Sequence, residues 1–121
     1  MRINSKTSKY GNKKTVVNGI TFDSMKEANR WIELLLMERA GLIKNILRQQ
    51  KFELVPSLVD EKGKLIQRPV FYIADFCYSE KTSNGWERVV EDVKSEATKT
   101  AVYKLKKKLF RWKYGIEIKE V

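Results

Sequence analysis

The stretch VVEDVKS, Val89 to Ser95, sets two adjacent carboxylates and a lysine inside an apolar, β-branched run. Side chains alternate across a strand, so Asp92 and Lys94 share one face while Glu91 points to the other. The pair that can cooperate is therefore Asp92 with Lys94, spaced D-x-K. Glu91 is expected to find its partner on the opposite face, as an ion pair with a helix lysine. In the preceding apolar segment, YIADF, Asp75 stands in similar surroundings. A hairpin between the two segments brings Asp75 and Asp92 together at the end of a sheet. Two carboxylates so placed repel and raise each other's pKa unless a cation sits between them. Mg²⁺ is the natural occupant, since it takes oxygen ligands and keeps waters for chemistry. A lysine beside it can orient a water or stabilise charge developing on a phosphate. Such a constellation hydrolyses phosphodiesters. The plainer alternative is an Asp92–Lys94 ion pair worth under about 1 kcal/mol at a surface, since D-x-K alone is a short and common pattern.

Composition narrows the chemistry further. The chain has no histidine, which excludes Ser-His-Asp and Cys-His catalysis, His-ligated zinc and any nuclease relying on a histidine base. Lys and Arg total 25 against 15 Asp and Glu, a formal net charge of +10. That excess favours a polyanionic partner, nucleic acid before an anionic membrane. The cations are also segregated. Residues 1–14 carry Arg2, Lys6, Lys9, Lys13 and Lys14 without an acid, and residues 98–114 carry Lys99, Lys104, Lys106, Lys107, Lys108, Arg111 and Lys113, again without one. A single cysteine, Cys77, cannot close an intrachain disulfide and fits a reducing compartment. No apolar run reaches membrane-spanning length and no secretory signal is legible, so the expected location is the cytoplasm.

The elements that must position these residues follow from periodicity. Residues 1–14 are expected to be a flexible basic arm ahead of a single domain over 15–121. TVVNGITF reads as a hairpin turning at Asn18-Gly19. Ser24 caps a helix that Gly41 stops, with Glu27 at the capping-box position and an apolar stripe of Ala28, Trp31, Ile32, Leu35 and Leu36. A three-strand meander then covers Leu47–Val59, Leu65–Glu80 and 86–95, with Pro56 bending the first strand. A second helix over 98–114 carries Val102, Leu105, Leu109 and Trp112 on one face and Lys104, Lys107, Lys108 and Arg111 on another. A short strand follows Gly115. The sum is an α/β fold, a central mixed sheet with helices.

The order of a helix glutamate, a strand aspartate, then D-x-K on the next strand ahead of a basic helix resembles the PD-(D/E)XK nuclease superfamily. The likeness runs from about Asn18 to Leu109. KYGNKKTVVNGITFDSMKEANRW, QQKFELVP, YIADFCY and VVEDVKS…YKLKKKLF look like a small phage-encoded family within it. The layout is also similar to Holliday junction resolvases and to the Tn7-type transposase endonuclease domain. Ala74 replaces the proline that precedes the superfamily's first aspartate. The resemblance implies a restriction-endonuclease-like fold and a Mg²⁺-dependent DNA endonuclease, with Mn²⁺ able to substitute, acting on branched DNA in a bacterial cell. It implies that Asp75, Asp92 and the Val93 carbonyl hold the metal, that Glu27 holds a metal-bound water or a second metal, and that Lys94 orients the nucleophile. Gln50 matches a glutamine on the strand before the acidic one. Lys9, Lys13, Lys14, Gln50, Lys99, Lys104, Lys107, Lys108 and Arg111 are the expected DNA contacts. Symmetric nicking of a four-way junction, and the many aromatic residues needing cover, suggest a homodimer. Two alternatives remain at this level: a carboxylate-only, two-metal nuclease of ribonuclease-H-like type, for which Lys94 is dispensable, and a non-catalytic DNA-binding module.

Overall fold

Asn18 and Gly19 decide the first turn. Both take positive φ, 52° and 79°, the conformation a two-residue hairpin loop demands and one these two residues tolerate best. In the computed structural model, which describes Ile3–Thr7 and residues 13–121 and gives side chains from residue 14 onward, this turn joins β2 (Lys13–Val17) to β3 (Ile20–Phe22). The register pairs Val17 with Ile20. Ahead of them β1 (Ile3–Thr7) pairs antiparallel with β2, Ile3 opposite Val17 and Thr7 opposite Lys13. The segment expected to be an arm is thus in part a strand: INSKT has no apolar alternation, and its place comes from backbone pairing with β2.

Helix α1 (Met25–Arg39) starts where expected, with Ser24 Oγ accepting from the Glu27 N–H at 3.1 Å. It ends as a left-handed Gly41, φ 77°, lets the Leu42 N–H return to the Met37 carbonyl. Its buried residues are Glu27, Ala28 and Leu34. Leu36, placed in the stripe by sequence, is exposed, so the covered face is rotated toward Glu27 and Leu34.

The chain divides into two compact units, residues 1–44 and 45–121. The second is built on a mixed sheet in the order β4-β7-β8-β9. Strand β4 (Ile43–Val55) begins earlier than its apolar pattern suggests, and Pro56 separates it from a small ribbon, β5 (Leu58–Val59) with β6 (Leu65–Gln67). The expected single strand from Leu65 to Glu80 is two strands, because Pro69 has no N–H for a ladder; β7 runs Val70–Thr82. It pairs antiparallel with β8 (Gly85–Asp92), from Thr82 opposite Gly85 to Phe76 opposite Glu91. Strand β8 stops at Asp92 rather than Ser95. A 3-10 turn at Glu96–Thr98 leads into α2 (Ala101–Tyr114), capped by Thr100 and closed by left-handed Gly115. Finally β9 (Lys119–Glu120) lies parallel to β8, Asp92 opposite Glu120. The protein is therefore a small α/β protein with a mixed four-stranded sheet and two helices, as its periodicity implies. Among the described residues no helix is long and apolar enough to cross a membrane.

The core of the second unit gathers Phe52 and Leu54 from β4, Tyr72, Ala74 and Cys77 from β7, Val90, Ile118, and Tyr103 with Phe110 from α2. Phe110 stands edge-on to Phe52 and Tyr72, at centroid distances of 5.0 and 5.4 Å. This corrects the face assigned to α2. Val102, Leu105 and Trp112 are exposed, whereas Tyr103 and Phe110 point into the sheet. The helix carries two apolar stripes, and the aromatic one is buried because it fills the larger space. Of the aromatics expected to need a second chain as cover, Tyr72, Phe76 and Tyr78 are already buried within one. Phe110→Ala is expected to destabilise the fold by about 3–5 kcal/mol, while Leu105→Ala should stay within about 1 kcal/mol; urea unfolding of the two variants against the parent checks both.

Candidate active site

The antiparallel pairing of β7 with β8 brings their ends together. The core takes Tyr72 and Ala74 from β7 but then Cys77, an odd step, so the two-residue alternation slips between Ala74 and Cys77. The slip leaves Asp75 beside Asp92. Asp75 is further fixed at both oxygens. Its Oδ2 accepts the Val93 N–H at 2.9 Å, and its Oδ1 lies 3.4 Å from Gln49 Nε2. Asp92, 2% exposed, accepts a 2.6 Å hydrogen bond from the Tyr72 hydroxyl. Lys94 Nζ stands 3.8 Å from the same Asp92 oxygen and 4.3 Å from the centre of the Tyr103 ring. The backbone is pinned as well: Val121 N–H donates to the Asp92 carbonyl and Lys94 N–H to the Val121 carbonyl. Tyr72, Asp92, Lys94 and Tyr103 line a cleft of about 300 Å³.

Burial, then the neighbouring Asp75, pushes the Asp92 carboxyl up to about 8, against smaller opposing effects of the Tyr72 hydroxyl and Lys94. Burial and the adjacent Asp92 likewise raise the Tyr72 phenol far above its ordinary range. Tyr72 therefore remains a donor throughout the working pH range, and the pair of carboxyls holds a proton where free aspartates would hold none. This is the electrostatic signature of a site with one negative charge too many. Two neighbouring carboxylates are hard-oxygen donors of the kind a divalent cation such as Mg²⁺ takes. Among the described residues no group of three or more His, Cys, Asp or Glu gathers where a metal could sit.

The structure brings Asp75, Asp92 and Lys94 together. Glu27 lies in the other compact unit, buried at the first turn of α1. Glu91 turns to the opposite face, as alternation requires, and accepts a 2.6 Å hydrogen bond from Tyr78; a buried phenol stands where a lysine was expected. Gln50 accepts from Arg88 on β8 at 2.9 Å. The glutamine beside Asp75 is Gln49, one residue earlier, and it adopts positive φ, 51°. A left-handed residue in mid-strand shifts the pleat, which sequence alternation cannot reveal; the doubled QQ is its only trace in the sequence. Tyr72 and Tyr103 escape sequence reasoning too, because an aromatic residue in an apolar run reads as core until its hydroxyl is seen.

Of the expected nucleic-acid contacts, Lys9 falls outside the described residues. Lys13 lies in β2, and Lys14 is exposed on the same strand. Lys99, Lys104, Lys107, Lys108 and Arg111 converge on a second cavity of about 390 Å³ between α2 and the C-terminal segment, with Glu117 and Glu120 as its acids. Glu120 is the better held, 3.6 Å from Lys99 and 3.4 Å from Lys107. The Tyr103 hydroxyl donates to Glu120 at 2.8 Å, and this bond, followed by the two lysines, holds the Glu120 carboxyl below its usual range.

A family model described as "Protein of unknown function (DUF1064)" matches residues 7–120. The chain belongs to that family, and the match covers it almost end to end. No curated protein and no solved structure matches it.

The Asp92 shift has a sign. Its folded pKa of about 8 lies above the ordinary 3.8, so between those values the folded chain holds a proton that the unfolded chain has released. The stability from this group is full below about pH 4 and is lost as pH rises through 8. In metal-free buffer, Asp92→Asn should flatten the decline in melting temperature between pH 5 and 8 and melt above the parent at pH 8. A steeper or unchanged decline would contradict the buried-pair assignment.

Proposed function

We propose that the protein is a Mg²⁺-dependent DNA endonuclease with Asp75, Asp92 and Lys94 at its centre. The observation that carries the proposal is a pair of neighbouring carboxylates, Asp92 buried and Asp75 bonded to the next N–H along, with a lysine 3.8 Å from the buried one in a cleft. The resemblance of the motif order to the PD-(D/E)XK superfamily supports the same reading, as does the excess of positive charge. The lack of histidine leaves carboxylate and lysine chemistry as the hydrolytic route open to this chain.

Asp75 and Asp92, with the Val93 carbonyl, would hold Mg²⁺, and Glu27 is the further acid that the resemblance assigns. When bound, the ion would neutralise the scissile phosphate and lower the pKa of water. The chain's own groups do the positioning. Gln49 and the Val93 N–H fix the Asp75 carboxylate, and Tyr72, protonated at every working pH, fixes Asp92. Lys94, held over the Tyr103 ring, keeps its ammonium at the cleft, where it orients an attacking water and offsets charge building on the phosphate. The five cations converging on the second cavity hold phosphates away from the cut. Branched DNA is the substrate the resemblance favours, and a pair of chains would supply the two symmetric nicks a four-way junction needs.

A cleavage assay with Mg²⁺ on matched junction, flap, duplex and single-stranded DNA tests the proposal. Asp92→Asn and Asp75→Asn should abolish cutting while leaving folding and DNA binding intact; full turnover by a folded Asp92→Asn protein would remove the site. Lys94→Ala should slow the rate by about a hundredfold or more at unchanged affinity, whereas a loss of tenfold or less favours a carboxylate-only mechanism. Replacing Lys104, Lys107 and Lys108 together should do the opposite, weakening binding and flattening its salt dependence with little change in single-turnover rate at saturation. DNA binding without cutting under any divalent ion would instead indicate a binding module.

A further inference from the structure

The outer side of α2 is not what a helix meant only for phosphates would carry. Advancing about 100° per residue, Leu105 and Trp112 lie nearly opposite the buried Tyr103 and Phe110 and so form a ridge pointing away from the sheet. Trp112 is 81% exposed and Leu105 59%, with Val102 beside them at 62%. Trp112 makes no ring or cation–π contact among the described residues. The ridge also separates two cavities. On one flank Lys104, Lys107 and Arg111 line the basic cavity. On the other Val102 and Lys106 line the cleft that holds Asp92 and Lys94.

We infer that the α2 ridge binds unpaired nucleotides, with a base stacked on Trp112 and the flanking phosphates on Lys104, Lys108 and Arg111. This rests on the proposed action on DNA and names the form of DNA that the surface accepts. A duplex turns its phosphates outward and its base faces inward, so it matches the lysines and leaves an indole and a leucine in water. An unpaired strand matches both, since each base offers a flat apolar face and each phosphate a charge. Apolar exposure on this ridge is then complementary to its ligand. A second copy of the chain is a poor occupant, because α2 against α2 sets Lys106, Lys108 and Lys113 against their own counterparts, with no acid on the helix to relieve them. The free ends and opened centres of branched DNA carry the unpaired nucleotides that the ridge requires.

Fluorescence anisotropy in chelator, with labelled oligothymidine, matched duplex and a flap of the same length, reads the inference directly. Trp112→Ala should weaken oligothymidine and flap binding about tenfold or more and alter duplex binding less than about twofold; Trp112→Phe should recover most of the loss. Because the side chain lies in solvent, both variants are expected to melt as the parent does. Equal weakening on all substrates, or none, overturns the inference. So does concentration-dependent self-association of the parent that Trp112→Ala abolishes, which would make the ridge an interface between copies. The two proposals separate cleanly. Trp112-dependent binding of unpaired DNA without Mg²⁺-dependent cutting keeps the ridge and removes the nuclease, while cutting that is indifferent to Trp112 does the reverse.

Discussion

The second unit is arranged around the burial of Asp92 beside Asp75. A carboxyl with 2% of its surface exposed, raised by burial and by a neighbouring carboxyl, is a costly arrangement. Several elements are shaped to maintain it. The ladder between β7 and β8 delivers both residues to one edge, and the Tyr72 hydroxyl reaches 2.6 Å to one Asp92 oxygen. The chain end beyond β9 closes the other side, where Val121 binds the backbone on each side of Val93. The Tyr72 bond and the nearby Lys94 relieve the excess charge only in part. A persistent local cost, supported by three strands and a helix, is the pattern expected where energy is stored for ligand binding or catalysis.

Tyr103 carries that constraint outward. Its ring sits under Lys94 at 4.3 Å and its hydroxyl holds Glu120 at 2.8 Å. Glu120 in turn engages Lys99 and Lys107 of the basic cavity. One aromatic side chain, anchored in the core by the fold of α2, thereby touches the charged groups of both cavities. Burial raises the Tyr103 phenol above its ordinary range, and the bond to Glu120 adds to it, so this link does not titrate with the cell's pH. The separation between the Asp92 cleft and the basic cavity is thus built into the helix that divides them.

How much of this was legible depends on whether the governing signal was local. Asn18-Gly19, Ser24 and Gly115 act through their own backbone, and each places its turn or cap where the sequence implies. Asp75, Asp92 and Lys94 were legible because a charge inside a β-branched run costs more than a purely structural strand would gain from it. What escaped was decided at a distance. The choice between the two apolar stripes of α2 depends on what fills the space over Phe52 and Tyr72, and that is Phe110 rather than Leu105. Whether Gln49 or Gln50 reaches Asp75 depends on a left-handed residue within β4. Pro69 is a local signal in conflict with its neighbours: one missing N–H ends a strand that hydrophobicity alone would continue.

The placement of charge sharpens the distinction between a basic surface and a basic site. A net charge of +10 would draw any polyanion from solution, but it cannot say where the polyanion rests. Five of the cations converge on one cavity, and Glu120 among them is held ionised by Tyr103, Lys107 and Lys99. An acid kept charged within a cluster of lysines reduces their mutual repulsion and fixes their directions without cancelling their sum. Such a cavity is ordered before any ligand arrives, which lowers the entropy that binding one would cost. Lys94 obeys the same logic inside the cleft. Paired with Asp92 across 3.8 Å and lying on an aromatic face, it is oriented at the mouth of the cleft rather than free to sample solvent.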